Sequence, residues 1–552
     1  MSLQPMEIVA VPDETTRVAR AAFPKGNVWL NLRDELGTIY CDGMFADLYP
    51  RRGQPAEAPW RLALVLVMQF ADALSDRQAA EAVRSRIDWK YALALELTDP
   101  GFDSTVLSEF RTRLVEGSIE HKMLDAVLDL CRARKWVTPR GRQRTDSTHV
   151  LGMIRALNRL ECVGETMRHT LNSLAVSAPD WLLGHSLPEW LDRYDRRLDD
   201  ERLPKGKEER QAHAERIGTD GHILLDALYA ENAQSWLIQI PAVETLRQVW
   251  VQEFYRTDAG IHWRTEEQGL PPSARLVGSP YDTEARYAKK RSTSWVGYKV
   301  HLTESCEEDQ PHLITHVETT AAPVADSDVV DTIHDDLAAA DLLPAVHLVD
   351  TGYVDAKHLV SSRTRHDIDL LGPARGDYHR QAREKKGFAA HCFAIDWERQ
   401  QAVCPAGQTS ASWTPARDRK GNPVIKIKFA SSACTVCPHR LDCTDADRVR
   451  RTLTVRPADF QIALQAARQR QQTAEFAKQY GKRAGIEGTI SQGVRAFDLR
   501  RSRYVGKVKT HLQHLLIAAA MDLVRIYYWL VGEPRAQTRQ SSFTALMKTK
   551  PA

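Results

Sequence analysis

Two aspartates sit in runs that read as β-strands, and they constrain this chain more than any other feature. Asp350 closes the run Ala345-Val-His-Leu-Val349, four largely apolar positions followed by an acid. A buried strand reads this way, and in open α/β sheets ligands gather at the carboxyl ends of such strands. Asp146 lies within Gly141 to Val150, where Arg142, Arg144, Asp146 and Thr148 alternate with their neighbours, the period of a strand. A third acid, Glu487, follows Tyr480 by seven residues and Arg483 by four, so on a helix the three share one face. Two carboxylates on strands and a third on a helix form an oxygen donor set suited to two Mg²⁺ ions. Such ions activate a water or hydroxyl and stabilise the leaving oxygen of a phosphodiester. Taken singly, an acid at a strand end is ordinarily a turn former or helix cap, and Arg483–Glu487 a surface ion pair. The reading rests on the three together.

The remaining pattern predicts an α/β core with additions. Trp295 to Leu302 and Leu313 to Thr319 read as strands, and Ala325 to Ala340, after Pro323, as a helix. Ala345 to Asp350 and Ile368 to Leu371 read as further strands. With the first acid's strand, this is the strand, strand, strand, helix, strand order of an RNase-H-like core. Upstream, Pro59 opens a helix in which Leu62 to Phe70 is apolar on most faces and therefore buried. Ser75-Asp-Arg-Gln78 is a capping box, and Asp103 or Ser104 caps another helix carrying Phe110, Arg111, Arg113 and Leu114. Short capped helices with arginines suit a helix-turn-helix that contacts DNA, or equally a plain bundle. Leu157 to Tyr255 is mostly helical and reads as an insertion, with a charged, solvated run from Asp192 to Arg216.

Length and charge narrow the class. A chain of 552 residues accommodates three to four domains, or one domain with large insertions. The net charge of +3 hides an asymmetry: residues 445–552 hold 20 Lys or Arg against 8 Asp or Glu, so the rest is net acidic. A basic C-terminal part points to a polyanion, nucleic acid first. Arg500, Arg501, Arg503, Lys507 and Lys509 follow the third acid, and Lys290 and Arg291 precede the Trp295 strand. Both clusters suit phosphate contacts, which position DNA without reading its sequence. The first twenty residues lack a secretory signal, and Asp522 and Arg525 interrupt the best membrane candidate, His514 to Val531, which reads instead as a buried terminal helix. A cytoplasmic, nucleoid-associated location and no membrane partner are expected.

Four of the nine cysteines have metal-ligand spacing: Cys404, Cys434, Cys437 and Cys443 give Cys-x29-Cys-x2-Cys-x5-Cys. Four thiolates close a tetrahedral Zn²⁺ site with no open position, which makes it structural. The stretch from Lys420 to Phe429 turns at Gly421-Asn-Pro and then alternates like a strand, so a small zinc-ribbon-like insertion is expected, with His439 as the alternative fourth ligand. Reduced cysteines without metal are the alternative.

The spacing Tyr480-x2-Arg483-x3-Glu487 resembles the third-acid signature of bacterial insertion-sequence transposases with a DDE active site. The Pro59 to Leu114 block, Arg144-Thr-Asp-Ser-Thr, the stretch from Ser279-Pro-Tyr-Asp-Thr-Glu-Ala-Arg-Tyr to Trp295-Val-Gly-Tyr-Lys-Val-His, and Val349-Asp-Thr-Gly-Tyr353 are similar to the same group. The resemblance covers most of the chain from about 40 to 530. It implies that Asp146, Asp350 and Glu487 bind two Mg²⁺ ions and that Arg483 and Tyr480 handle the transposon end. The family signature continues with a lysine at what is here Val494; the neighbouring Arg495 is the substitute candidate.

The expected organisation is a helical, DNA-binding domain over 1–135, a core first part over 136–390 with the helical insertion at about 157–260, and a zinc-ribbon-like insertion over 391–447. A core C-terminal part over 448–533 and a flexible tail over 534–552 follow. The expected activity is Mg²⁺-dependent nicking of double-stranded DNA at transposon ends and joining of the 3′-hydroxyl to target DNA, by a homo-oligomer when DNA is bound. A DNA-binding descendant that no longer cuts, a metal-dependent nuclease without strand transfer, and a zinc-stabilised interaction protein are the alternatives.

Overall fold

A computed structural model describes residues 1–5, 8–154, 157–265, 267–272, 274–377, 380–384, 386–419, 421–444, 450–535 and 542. In chain order its strands begin with β1 (Arg142–Leu151), the hairpin β2 (Phe254–Thr257) and β3 (Gly260–Trp263), then β4 (Arg286–Lys290), β5 (Thr293–Ser305), β6 (Ile314–Ala321), β7 (Val346–Val349) and β8 (Asp369–Leu371). β1 is the centre of a mixed six-stranded sheet, antiparallel to β5 on one side and parallel to β7 on the other. β6 pairs with the outer side of β5 and β8 with β7, giving the order β6-β5-β1-β7-β8, while β4 folds back on the start of β5. Parallel neighbours need crossovers, and the helices Val330–Ala339 and Ala356–His366 supply them. The strand, strand, strand, helix, strand reading therefore describes the sheet, with β4 as an additional strand.

Every described helix or strand from residue 13 to 133 is helical. The capping box forms as expected: Gln78 N–H donates to Ser75 Oγ and the Gln78 side chain accepts from Ser75 N–H. Asp103, rather than Ser104, caps the Thr105–Glu116 helix by accepting from Thr105 N–H. Leu62 to Phe70 is buried throughout. Its partners lie at the far end of the sequence, because the Lys507–Leu530 helix packs against Pro59–Ala71, against Lys122–Ala133 and against β6. One apolar core thus joins Trp60, Phe70 and Phe110 of the first helices, Val300, Leu302 and Val317 of the sheet, and Leu516, Met521 and Ile526 of the last helix. The terminal helix, Lys507–Leu530, is buried from Leu512 to Leu523 and emerges at Tyr528 and Trp529, and no described helix is long and apolar enough to cross a membrane.

The stretch from Arg159 to Trp263 builds a second core of its own, around Trp190, Leu224, Val249 and Trp250. Its tightest point is the Lys207–Leu228 helix against Trp250, whose Nε1 donates to the Gly218 carbonyl at 2.9 Å. A Cβ on Gly221 would come within 2.1 Å of the Trp250 ring. A third small core, around Phe393, Ile427, Phe429 and Leu453, underlies β9 (Ala394–Asp396), β10 (Gln401–Val403), β11 (Ser412–Arg417), β12 (Pro423–Lys428) and β13 (Thr452–Val455). β11 and β12 form the hairpin read at Gly421, which has a φ of 81°, and β13 completes that sheet beyond residue 447. Of the expected tail, only 534, 535 and 542 lie among the described residues. Arg535 is docked there, donating to the Glu308 carbonyl at 2.7 Å.

Glycine within a helix normally costs about 0.5–1 kcal/mol relative to alanine. At Gly221 the steric term has the opposite sign and outweighs it. Gly221→Ala is expected to destabilise the protein, because overpacking costs about 1–3 kcal/mol; denaturant unfolding that shows an equal or more stable variant would contradict this packing.

Candidate active site

The register of β1 on β7 pairs Thr145 with Val349. Asp146 and Asp350 are the next positions outward, so two parallel neighbours deliver their acids side by side at one end of the sheet. Asp146 is largely buried, and burial pushes its carboxyl above the usual carboxylate range; Arg483 pulls it back and the Asp350 charge raises it further. Ser147 N–H donates to Asp146 Oδ1 at 2.8 Å, and Gly352 N–H donates to Asp350 Oδ1 at 2.7 Å.

The third acid arrives on a helix that is interrupted. Ala474–Gly481 carries Tyr480, a 3₁₀ turn over Lys482–Ala484 carries Arg483, and Gly485–Ala496 carries Glu487. The expectation of a single regular helix is corrected here, and the cause is Arg144. Its guanidinium reaches up from β1 and donates to the Lys482 carbonyl at 2.5 Å, and a Cβ on Gly485 would lie 2.0 Å from its Nη1. Arg483 and Glu487 still meet at 2.9 Å, while the other arm of Arg483 reaches Asp146 Oδ2 at 2.5 Å. One guanidinium therefore bridges the first and third acids. Tyr480 stacks on Phe476 at 5.4 Å. Burial raises the Tyr480 hydroxyl pKa, Arg483 opposes this, and the charges of Asp350, Asp146 and Glu487 add to the rise.

Beneath the site lies a buried ion cluster. Glu304, on β5, is fully buried; Arg144 Nε donates to it at 2.6 Å and Arg525 Nη1 at 3.0 Å. Thr489 Oγ1 donates to the same carboxylate at 2.5 Å, and Arg525 also bonds Thr489, Gln492 and the His312 carbonyl. The helix bearing Glu487 is thus pinned to the strand bearing Asp146 through charge.

Sequence reasoning missed a fourth carboxylate. Asp326 accepts from Ser147 Oγ at 3.1 Å and from Lys299 Nζ at 2.8 Å. A Cβ on Gly352 would lie 2.9 Å from Asp350 Oδ1 and 3.0 Å from Asp326 Oδ2, so this glycine leaves room for both acids. Tyr353, within the quoted Asp-Thr-Gly-Tyr segment, is buried behind them and pairs with His301 Nδ1 at 2.7 Å. Nothing local distinguishes Asp326 from a helix-start acid; only the sheet brings it here.

The basic residues divide. Lys290, in the β4–β5 hairpin, acts electrostatically on Asp146 and Asp326. Arg500 Nε donates to Thr148 Oγ1 at 2.8 Å, and the 500–502 backbone bonds the end of β1. Arg291, Arg501, Lys507 and Arg495 are exposed, with Arg495 facing solvent while Val494 packs on the core. Arg503 is structural: it donates to the Leu74 carbonyl at 2.6 Å and lies over the Phe70 ring.

Cys404, Cys434, Cys437 and Cys443 converge on one cavity of about 30 Å³, whose lining does not include His439. Burial, with the neighbouring sulfurs, pushes the Cys443 thiol up to about 11. Among the described residues, neither three of these sulfurs nor the three acids have their ligand atoms all within 4.8 Å of one another.

Two family models match parts of this chain. Residues 403–527, which include the four cysteines, Glu487 and most of the terminal helix, match the family model described as Transposase DDE domain. Residues 17–113 match Transposase domain (DUF772). The two matches indicate a DDE-type transposase of the insertion-sequence kind. A DDE domain implies an RNase-H-like fold, with which the mixed sheet is consistent, and the family generally uses a divalent metal, typically Mg²⁺. No curated protein matches the chain.

Removing one partner of a buried ion pair costs about 3–5 kcal/mol, since the other charge stays buried. Glu304→Gln, which keeps the side-chain shape, is expected to lose stability on that scale by leaving Arg144 and Arg525 without a counter-charge. An unfolding free energy within 1 kcal/mol of wild type, on the order of an exposed pair, would show that the cluster does not hold the helix.

Proposed function

We propose that this protein nicks double-stranded DNA at transposon ends and joins the freed 3′-hydroxyl to target DNA, with Asp146, Asp350 and Glu487 as its acids. The observation that carries the reading is the side-by-side delivery of Asp146 and Asp350 by parallel β1 and β7, with Arg483 linking Asp146 to Glu487. The donor set is all carboxylate oxygen, which fits a hard divalent cation. The acids would hold two Mg²⁺ ions, which when bound would activate the nucleophile and neutralise charge at the scissile phosphate.

The remaining roles belong to the chain. In the first step water attacks phosphorus, the P–O3′ bond breaks and the 3′-oxygen leaves as a hydroxyl. In the second that hydroxyl attacks a target phosphodiester and displaces a target 3′-oxygen. No bond to the protein forms in either step. Arg483 presents a planar guanidinium suited to a phosphate, so a DNA phosphate can take over the contact it now makes with Asp146 and free that acid. Tyr480 adds a ring face and a hydroxyl at the same edge. Lys290, Arg291, Arg495, Arg500, Arg501 and Lys507 track the DNA backbone. Joining two ends calls for at least a homodimer on DNA. The four cysteines that line one cavity would hold a structural Zn²⁺ once their sulfurs draw together, steadying a zinc-ribbon-like module whose sheet runs on to β13, and the helices of 1–135 contribute DNA contacts. A nucleoid-associated, cytoplasmic setting follows from that work.

A chain that binds ends without cutting them is the second reading. It is favoured by the Arg483 bridge, which engages two of the three acids at once.

The test is cleavage of a labelled duplex carrying the element's own end, in Mg²⁺, by wild type and by Asp146→Asn, Asp350→Asn and Glu487→Gln. Wild type is expected to nick at the end, and each variant to bind the duplex yet cut at least 100-fold more slowly, about 2.7 kcal/mol of lost transition-state stabilisation. Binding without cutting by wild type in both Mg²⁺ and Mn²⁺ would move the second reading ahead. Unimpaired cutting by Glu487→Gln would remove the third acid.

A further inference from the structure

Away from those acids, at the outer edge of the sheet, one side-chain cluster has no part in the proposed chemistry. β6 pairs only with β5 among the described strands. His316 and Glu318 are two apart on β6 and so lie on the same face. Asp336 comes from the Val330–Ala339 helix that covers this edge. Among the described residues this is the group of His, Cys, Asp or Glu whose potential ligand atoms all lie within 4.8 Å of one another. We infer that His316, Glu318 and Asp336 form a second divalent-cation site, one that takes a borderline transition-metal ion such as Zn²⁺ and ties β6 to its covering helix.

Three further observations point to a ligand. His316 is 11% exposed, and its Nε2 pairs with Asp336 Oδ2 at 3.0 Å. Its other nitrogen, Nδ1, is buried and without a hydrogen-bond partner. An ion held between Nε2 and Asp336 would replace the proton they now share, since a ligating imidazole is neutral. Glu318, like His316 only partly exposed, offers a carboxylate oxygen to the same group. The positive groups nearby do not fill the gap: Lys507 and His511 on the terminal helix act on these acids electrostatically, and His511 Nδ1 is already taken by Thr319. His121 and the carboxyl of Asp125, on the first helical block, face the same region.

The donor set decides the ion. One imidazole nitrogen and two carboxylate oxygens suit Zn²⁺, Co²⁺, Ni²⁺ or Mn²⁺, whereas Mg²⁺ prefers oxygen alone. Three protein ligands leave positions for water. Two elements that otherwise meet through side-chain packing and one ion pair would then be joined at a single point.

The experiment is calorimetric titration of the full chain with Zn²⁺, counting equivalents. Wild type is compared with His316→Gln, Asp336→Asn and Asp335→Asn. Asp336 is 53% exposed, so its amide variant keeps the fold, which a thermal melt checks. His316→Gln and Asp336→Asn are expected each to lose one equivalent. Asp335→Asn, at a neighbour paired instead with Arg365 and His366, is expected to retain it. The same number of equivalents in wild type and in both site variants would overturn the proposal, as would loss of that equivalent in Asp335→Asn.

Discussion

The carboxylate of Glu304 is the point on which the rest depends. It is fully buried on β5 and accepts from Arg144 on β1, Arg525 on the terminal helix and Thr489 on the helix of the third acid. Four elements from distant parts of the chain therefore share one charge. A buried ion triad is weak evidence for net stability, because desolvation of the ions offsets much of their attraction. What it supplies is registry. An apolar contact would let the Gly485–Ala496 helix slide by a fraction of a turn, whereas two guanidinium ions and a hydroxyl on one carboxylate fix both its height and its rotation.

The same economy governs the acids above. Arg144 serves the cluster below and, through the Lys482 carbonyl, shapes the turn that aims Arg483. Arg483 in turn is shared between Asp146 and Glu487. A change in one guanidinium is felt at both strand and helix, so single substitutions around this site should not be additive.

Much of this was legible in the sequence, for reasons that can be named. Strand period placed Asp146 and Asp350, and helical spacing placed Arg483 beside Glu487, because these are local consequences of backbone geometry. The capping box at Ser75 and the buried run from Leu62 to Phe70 were equally local. What escaped depends on long-range contacts. The 3₁₀ turn at Lys482–Ala484 is imposed by an arginine from β1, over 330 residues away. Asp326 reads as a helix-start acid until the sheet brings it beside Gly352. Val494 and Arg495 could not be told apart by role until the helix was seen to turn the first toward the core and the second to solvent. Nor does composition show that the first helices share their core with the last one.

That shared core has a consequence for biosynthesis. The apolar segment Leu62–Phe70 and its partners on the Lys507–Leu530 helix are separated by about 440 residues of chain. At roughly 5–20 residues per second the early segment waits roughly 20–90 s for the surface that covers it. During that interval the nascent chain has only its N-terminal neighbours to cover this helix, and the face meant for the terminal helix invites chaperones or aggregation. Each chain completes this core only after its last helix emerges from the ribosome, so the residues between the two segments set a delay on its maturation.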